Sequence, residues 1–114
     1  MSQNQGYEVF DGLAQQVPAI PAGSVVTRMV FANPHVKVMM VGFAPGEKII
    51  EGIPEQPAIL EVWRGEGVVT LGEEAFEIGA GSWVYIDAKT PHTIEARSEL
   101  VCLLTLIRDG SDQG

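Results

Sequence analysis

The chain has 114 residues, enough for one domain and no more, and its 46% apolar content fits a folded core rather than a disordered segment. A net charge of −8 argues against nucleic acid and anionic membrane surfaces as partners, since both select basic patches. The single cysteine, Cys102, excludes an internal disulfide framework.

The ends, "MSQNQG" and "GSDQG", are polar and glycine-bearing, which predicts frayed termini. No basic segment followed by an apolar one opens the chain, and no run approaches about 18 apolar residues. A cytoplasmic protein is therefore the expectation. "DGLAQQVPAIPAG" allows one helical turn near Leu13 to Gln16, closed by Pro18 and Pro21.

Short runs rich in Val, Ile, Met and aromatic residues follow, each ended by glycine or proline. They predict strands at Ser24–Ala32, His35–Phe43, Ala58–Arg64, Glu66–Leu71, Ala75–Ile78, Ser82–Asp87, His92–Ala96 and Glu99–Arg108. The breaks between them, among them "NP", "APG", "RGEG", "LGEE" and "IGAGS", are turn chemistry. Closely spaced strands without intervening helices mean an all-β sandwich or barrel. "VKVMMVGF" and "LVCLLTLI" are apolar on both parities. Their outer faces must be covered, by the other sheet's edge or by a second subunit, so a homodimer is expected. Cys102 lies in the second of these runs and reads as a small buried hydrophobe rather than a nucleophile.

Three pieces in fixed order resemble the cupin superfamily of small jelly-roll, or double-stranded β-helix, barrels. They are "PGEKI" followed nineteen residues after Gly46 by "GEG", then "GEEAFEIGAGS", then "GSWVYIDAKTPHTIEA". The resemblance runs from about Val36 to Ile107 and implies a single cupin domain over residues 1–114, with its barrel at about 24–108. In that family the first motif supplies two histidines one residue apart and then a glutamate or glutamine. The second motif supplies another histidine, and together they hold a divalent metal. Carried onto this sequence, these positions fall on Gly52, Pro54, near Ala58, and His92. Only His92 keeps a donor. The proline and glycine usual in the second motif's turn are Asp87 and Lys89 here.

The resemblance thus implies no metal cofactor, because glycine, proline and alanine offer no donor side chain. A divalent metal held by rearranged ligands would need Glu51 or Glu55, which strand parity places opposite residues 52 and 54 unless a proline-induced bulge reverses it. His92 is the main candidate, as a hydrogen-bonding or acid–base group at the mouth of a pocket or as a packed, satisfied histidine. Trp83 and Tyr85 share one strand face and are candidates for the wall of a ligand pocket, for the core or for a dimer interface. Met40, with Met39 and Phe43, is a soft apolar candidate for the same wall or for the core. Trp63 faces outward as a dimer anchor if Leu60 and Val62 face inward. His35 reads as a surface histidine, and Arg64 and Glu66 as a solvated turn. The expected function is a metal-free small-molecule-binding barrel around His92. The alternatives are a metalloenzyme of dioxygenase or isomerase type with non-standard ligands, and an accessory homodimer without a ligand. Whether it is an enzyme stays open on sequence.

Overall fold

A computed structural model describes residues 6–109. The expected fraying of residues 1–6 and 110–114 falls, apart from Gly6, outside the described residues. One 3-10 turn spans Leu13–Gln16, where the sequence allows it, and Gln15 N–H donates to the Gly12 carbonyl at 3.0 Å.

Nine strands follow among the described residues: β1 (Val25–Ala32), β2 (Val36–Phe43), β3 (Lys48–Glu51), β4 (Ala58–Arg64), β5 (Glu66–Leu71), β6 (Glu74–Gly79), β7 (Trp83–Ile86), β8 (His92–Ala96) and β9 (Leu100–Ile107). They form a five-stranded sheet in the order β1-β2-β9-β4-β7 and a four-stranded sheet in the order β3-β8-β5-β6. Every pairing is antiparallel. Two facing antiparallel sheets with such crossovers are the jelly-roll barrel that the cupin resemblance implies. No helix among the described residues is long and apolar enough to cross a membrane.

β3 is a strand that the sequence reading passed over. "KIIE" is four residues long, sits at a sheet edge beside β8, and leaves Ile50 66% exposed. Short exposed edge strands show neither clean alternation nor an apolar run.

β4 alternates as its sequence suggests: Ala58, Leu60 and Val62 are buried inward, while Ile59, Glu61 and Trp63 face out. In β9, Leu100, Val101 and Cys102 are buried on both parities. For β2 the cover on the outer face comes from the chain's own N-terminal segment, not from the other sheet's edge. A Cβ on Gly42 would lie 2.6 Å from Ile20 Cδ1, so Ile20 sits directly on that glycine. Arg28 Nη1 donates to the Gln16 carbonyl at 2.8 Å, tying the segment to β1.

The packed core includes Phe43 and Val41 of β2, Val62 and Leu60 of β4, Ala96 and Ile94 of β8, and Leu100 and Cys102 of β9. These residues sit toward one end of each strand. Because the strands run antiparallel, their other ends bring Met39, Ala58, His92, Leu104 and Leu106 together. The barrel is filled at one end and hollow at the other.

The "GEG" turn serves the filled end. Gly65 has φ of 93°, and a Cβ there would collide with the Glu99 carbonyl oxygen. A Cβ on Gly67 would strike the Glu95 carbonyl oxygen and approach Leu100 Cδ2 to 3.1 Å. Only glycine tolerates both the left-handed backbone and the close approach at position 65.

Candidate functional site

The hollow end is a cavity of about 280 Å³ lined by sixteen residues, most of them apolar. Val41, Phe43, Leu60, Ile94 and Cys102 form its floor on the core, and Met39, Leu104 and Leu106 its wall. Thr27, Glu51, Glu55, Gln56 and His92 supply its polar groups.

His92 begins β8, paired in register with Glu51 of β3 on one side and Leu71 of β5 on the other. It is 8% exposed and is the buried polar residue among those described. Its Nδ1 lies 3.1 Å from the Thr90 carbonyl oxygen. A carbonyl only accepts, so Nδ1 carries a proton and donates, and in that tautomer the ring presents a lone pair at Nε2. No side-chain nitrogen or oxygen among the described residues is fully buried without a partner. Nε2, with no hydrogen-bond partner among the described residues, is therefore not sealed from solvent.

The turn that sets His92 carries Asp87 and Lys89 where the family pattern has proline and glycine. Lys89 adopts φ of 66°, the left-handed conformation a glycine would take. Its N–H donates to the Pro54 carbonyl at 2.6 Å, and Thr90 N–H to the Asp87 carbonyl at 3.3 Å. The first bond joins the second-motif turn to the bend of residues 52–57, which brings Pro54, Glu55 and Gln56 to the cavity.

Pro54 and Ala58, two of the positions assigned from the family's metal-binding pattern, line the same cavity as His92. Gly52 has no heavy atom within 4 Å of the place its Cβ would occupy. These residues do not fit a metal centre: none of the three has a donor side chain. Among the described residues, no three His, Cys, Asp or Glu side chains gather to hold a metal ion. Glu51 and Glu55 correct the sequence reading in one respect. Glu51 shares the inward face of Ile49 and stands opposite His92 in the register, while the bend at residues 52–56 frees Glu55 from strand parity. Both reach the cavity rim and remain exposed.

Three expected wall residues lie elsewhere. In β7, Val84 and Ile86 pair with the inward Leu60 and Ala58, so Trp83 and Tyr85 project outward, 61% and 47% exposed. Hydrogen bonding to Asp87 raises the Tyr85 phenol above its usual pKa, with smaller contributions from desolvation and from the Asp87 charge. Met40 is buried on the face of Gly42, and its neighbour Met39 is the one that reaches the cavity. "VKVMMVGF" is apolar on both parities, so nothing in it marked the inward face. Thr27, Leu104 and Leu106 were missed for a similar reason, since their inward face is set by the two-sheet register, and Gln56 was missed because it lies in the bend before β4.

Trp63 is half-buried on the outward face, as expected if Leu60 and Val62 point in. Arg64 pairs with Glu99 at 3.5 Å across an exposed surface. His35 is exposed before β2, its backbone N–H donating to Asn33 Oδ1 at 2.8 Å. It borders a wider, shallower concavity of about 800 Å³ between the N-terminal segment and the β1–β2 turn. There Phe10 meets Phe31 edge-to-face at 6.2 Å. Among the described residues no buried polar side chain lines that concavity, and the His92 cavity is the better candidate.

The family model for the cupin domain matches residues 39–107, more than half of the chain. The chain is a cupin. A solved cupin superfamily protein from Desulfitobacterium hafniense superposes with a TM-score of 0.80 at 20% identity, covering 94% of this cupin and 97% of that chain. A conserved protein of unknown function from Streptococcus pyogenes superposes with a TM-score of 0.77 at 20% identity, covering 89% and 87%. These likenesses concern the fold. In sequence, an uncharacterised protein of Methanocaldococcus jannaschii is 46% identical over 37 residues, which is 32% of this cupin. The match spans only 30% of that relative's length.

Proposed function

We propose that this cupin binds a small organic molecule in the cavity on His92 and does so without a metal. The observation that carries the reading is one apolar hollow, open at its rim, meeting one buried imidazole whose Nδ1 is anchored and whose Nε2 has no protein partner among the described residues. The replacement of the family's metal-binding positions by Gly52, Pro54 and Ala58 supports the metal-free part. A lone imidazole holds a divalent metal weakly, and a working site needs about three protein ligands.

The test has two readouts on protein purified without added metal. Elemental analysis should give far less than one equivalent of any transition metal, and a set of small aromatic molecules should raise the melting temperature. A stoichiometric metal whose removal abolishes binding would overturn the metal-free reading. A protein that none of the molecules stabilises would overturn the ligand reading.

The homodimer also stands as a proposal. β7 is an edge strand whose outward Trp83 and Tyr85 continue the face that carries Trp63, an arrangement two copies can share by symmetry. Sedimentation of Trp63→Ala should show weaker association than the native chain.

A further inference from the structure

We infer that the cavity selects a small apolar molecule bearing a hydrogen-bond-donating head, a hydroxyl or an ammonium, and rejects carboxylates. This deepens the proposed function and rests on it. The Thr90 carbonyl accepts the Nδ1–H hydrogen bond, and in that tautomer the His92 ring offers its guest an acceptor at Nε2 and no donor. An acceptor-only head, such as a carboxylate, has no proton to share with it.

The rim adds a charge preference of the same sign. Glu51 stands opposite His92 in the β3–β8 register, and Glu55 reaches the cavity from the neighbouring bend. No lysine or arginine is among the lining residues. An anionic head would meet two carboxylates and no balancing cation, while an ammonium would meet two counter-charges. Both glutamates are exposed, so this contribution is modest and falls with salt. Gln56 and Thr27 are the other polar groups lining the cavity, and they carry no charge.

The body of the guest follows from the walls. About 280 Å³ lies just under the usual range for drug-sized ligands, roughly 300–1,000 Å³, and suits one ring with a short chain. Phe43, Met39, Leu60 and Leu104 give that ring hydrocarbon and sulfur to pack against.

A matched series tests the inference on the native protein: ethylbenzene, 2-phenylethanol, 2-phenylethylamine and phenylacetate share a phenyl-and-short-chain body and differ in the head. Titration by calorimetry or by amide NMR shifts should place the alcohol and amine at least about tenfold tighter than the hydrocarbon. Phenylacetate should bind weakest. His92→Phe should bring the alcohol down to the hydrocarbon's affinity, and Glu51→Gln with Glu55→Gln should reduce the amine's advantage over the alcohol. Equal binding of all four, or tightest binding of phenylacetate, would overturn the head-group inference while leaving the cavity as the site. No binding of any of the four would overturn the site reading itself.

Discussion

Ala58→Leu separates a cavity kept open for a guest from a core that happens to be loose. Ala58 is 3% exposed and lines the hollow beside Pro54 and Leu106. Leucine adds three carbons. At about 0.8 kcal/mol for each buried carbon, complete accommodation would stabilise the fold by roughly 2 kcal/mol. The cavity reaches solvent at the His92 rim, so part of the added surface stays wet and about 1 kcal/mol is the reasonable expectation. For a domain of this size that corresponds to a melting temperature higher by about 4 °C. The added volume also occupies the space meant for a ring, so affinity for 2-phenylethanol should fall at least about tenfold, or ~1.4 kcal/mol. Thermal unfolding and calorimetric titration of the same preparation read both effects. A loss of more than about 1 kcal/mol would mean the leucine is overpacked against a filled interior, and that the hollow does not exist as described. Gained stability with unchanged affinity would place the binding site elsewhere.

Three further predictions concern the scaffold and the replaced ligand positions. Gly65→Ala should cost more than about 2 kcal/mol in urea unfolding, since φ of 93° and the Glu99 carbonyl both oppose a Cβ; Gly46→Ala, at φ of 85° with open space around it, should cost less, and equal costs would refute the close-approach argument. Burial pushes the Cys102 thiol up to about 12, so it should resist iodoacetamide at pH 8 until the protein unfolds. An unfolded thiol ionises near about 8.5, so this stability is fully present below that pH and is lost as pH rises toward the folded value. The fall in stability between pH 8 and pH 10 should shrink in Cys102→Ala, and an identical fall would contradict the assignment. Gly52→His with Pro54→His would supply two imidazoles beside His92, and the double variant should take up one equivalent of cobalt(II) with a visible d–d spectrum. Native protein should give none, and a silent variant would show that these positions do not converge on His92.

The fold could be read from turn chemistry because each break has a local cause. Gly65 and Gly72 take positive φ where the reading placed turns, and the 3-10 turn lies where Pro18 and Pro21 confine it. β3 was not legible, because "KIIE" draws its order from pairing with β8 and not from its own pattern. The candidate site was half legible. His92 was marked by its motif, and Pro54 and Ala58 by their spacing. The choice of Met40 over Met39, and of Trp83 and Tyr85 over Leu104 and Leu106, depended on which strand face points inward. That is a property of paired sheets, and a doubly apolar run hides it. Of the rim carboxylates, Glu55 depended on a bend at residues 52–56 that ends strand alternation, and Glu51 on the pairing of β3 with β8. Ile20's seat on Gly42 is a contact across more than twenty residues, and a single sequence carries no signal for it.

The most direct measurement follows the two ring nitrogens of His92 by 15N NMR while 2-phenylethanol is added to metal-free protein. Binding in the cavity, as proposed, should shift Nε2 as it accepts the hydroxyl proton and leave Nδ1, held by Thr90, nearly unmoved. Saturable binding with both nitrogens unchanged would contradict a guest seated on His92.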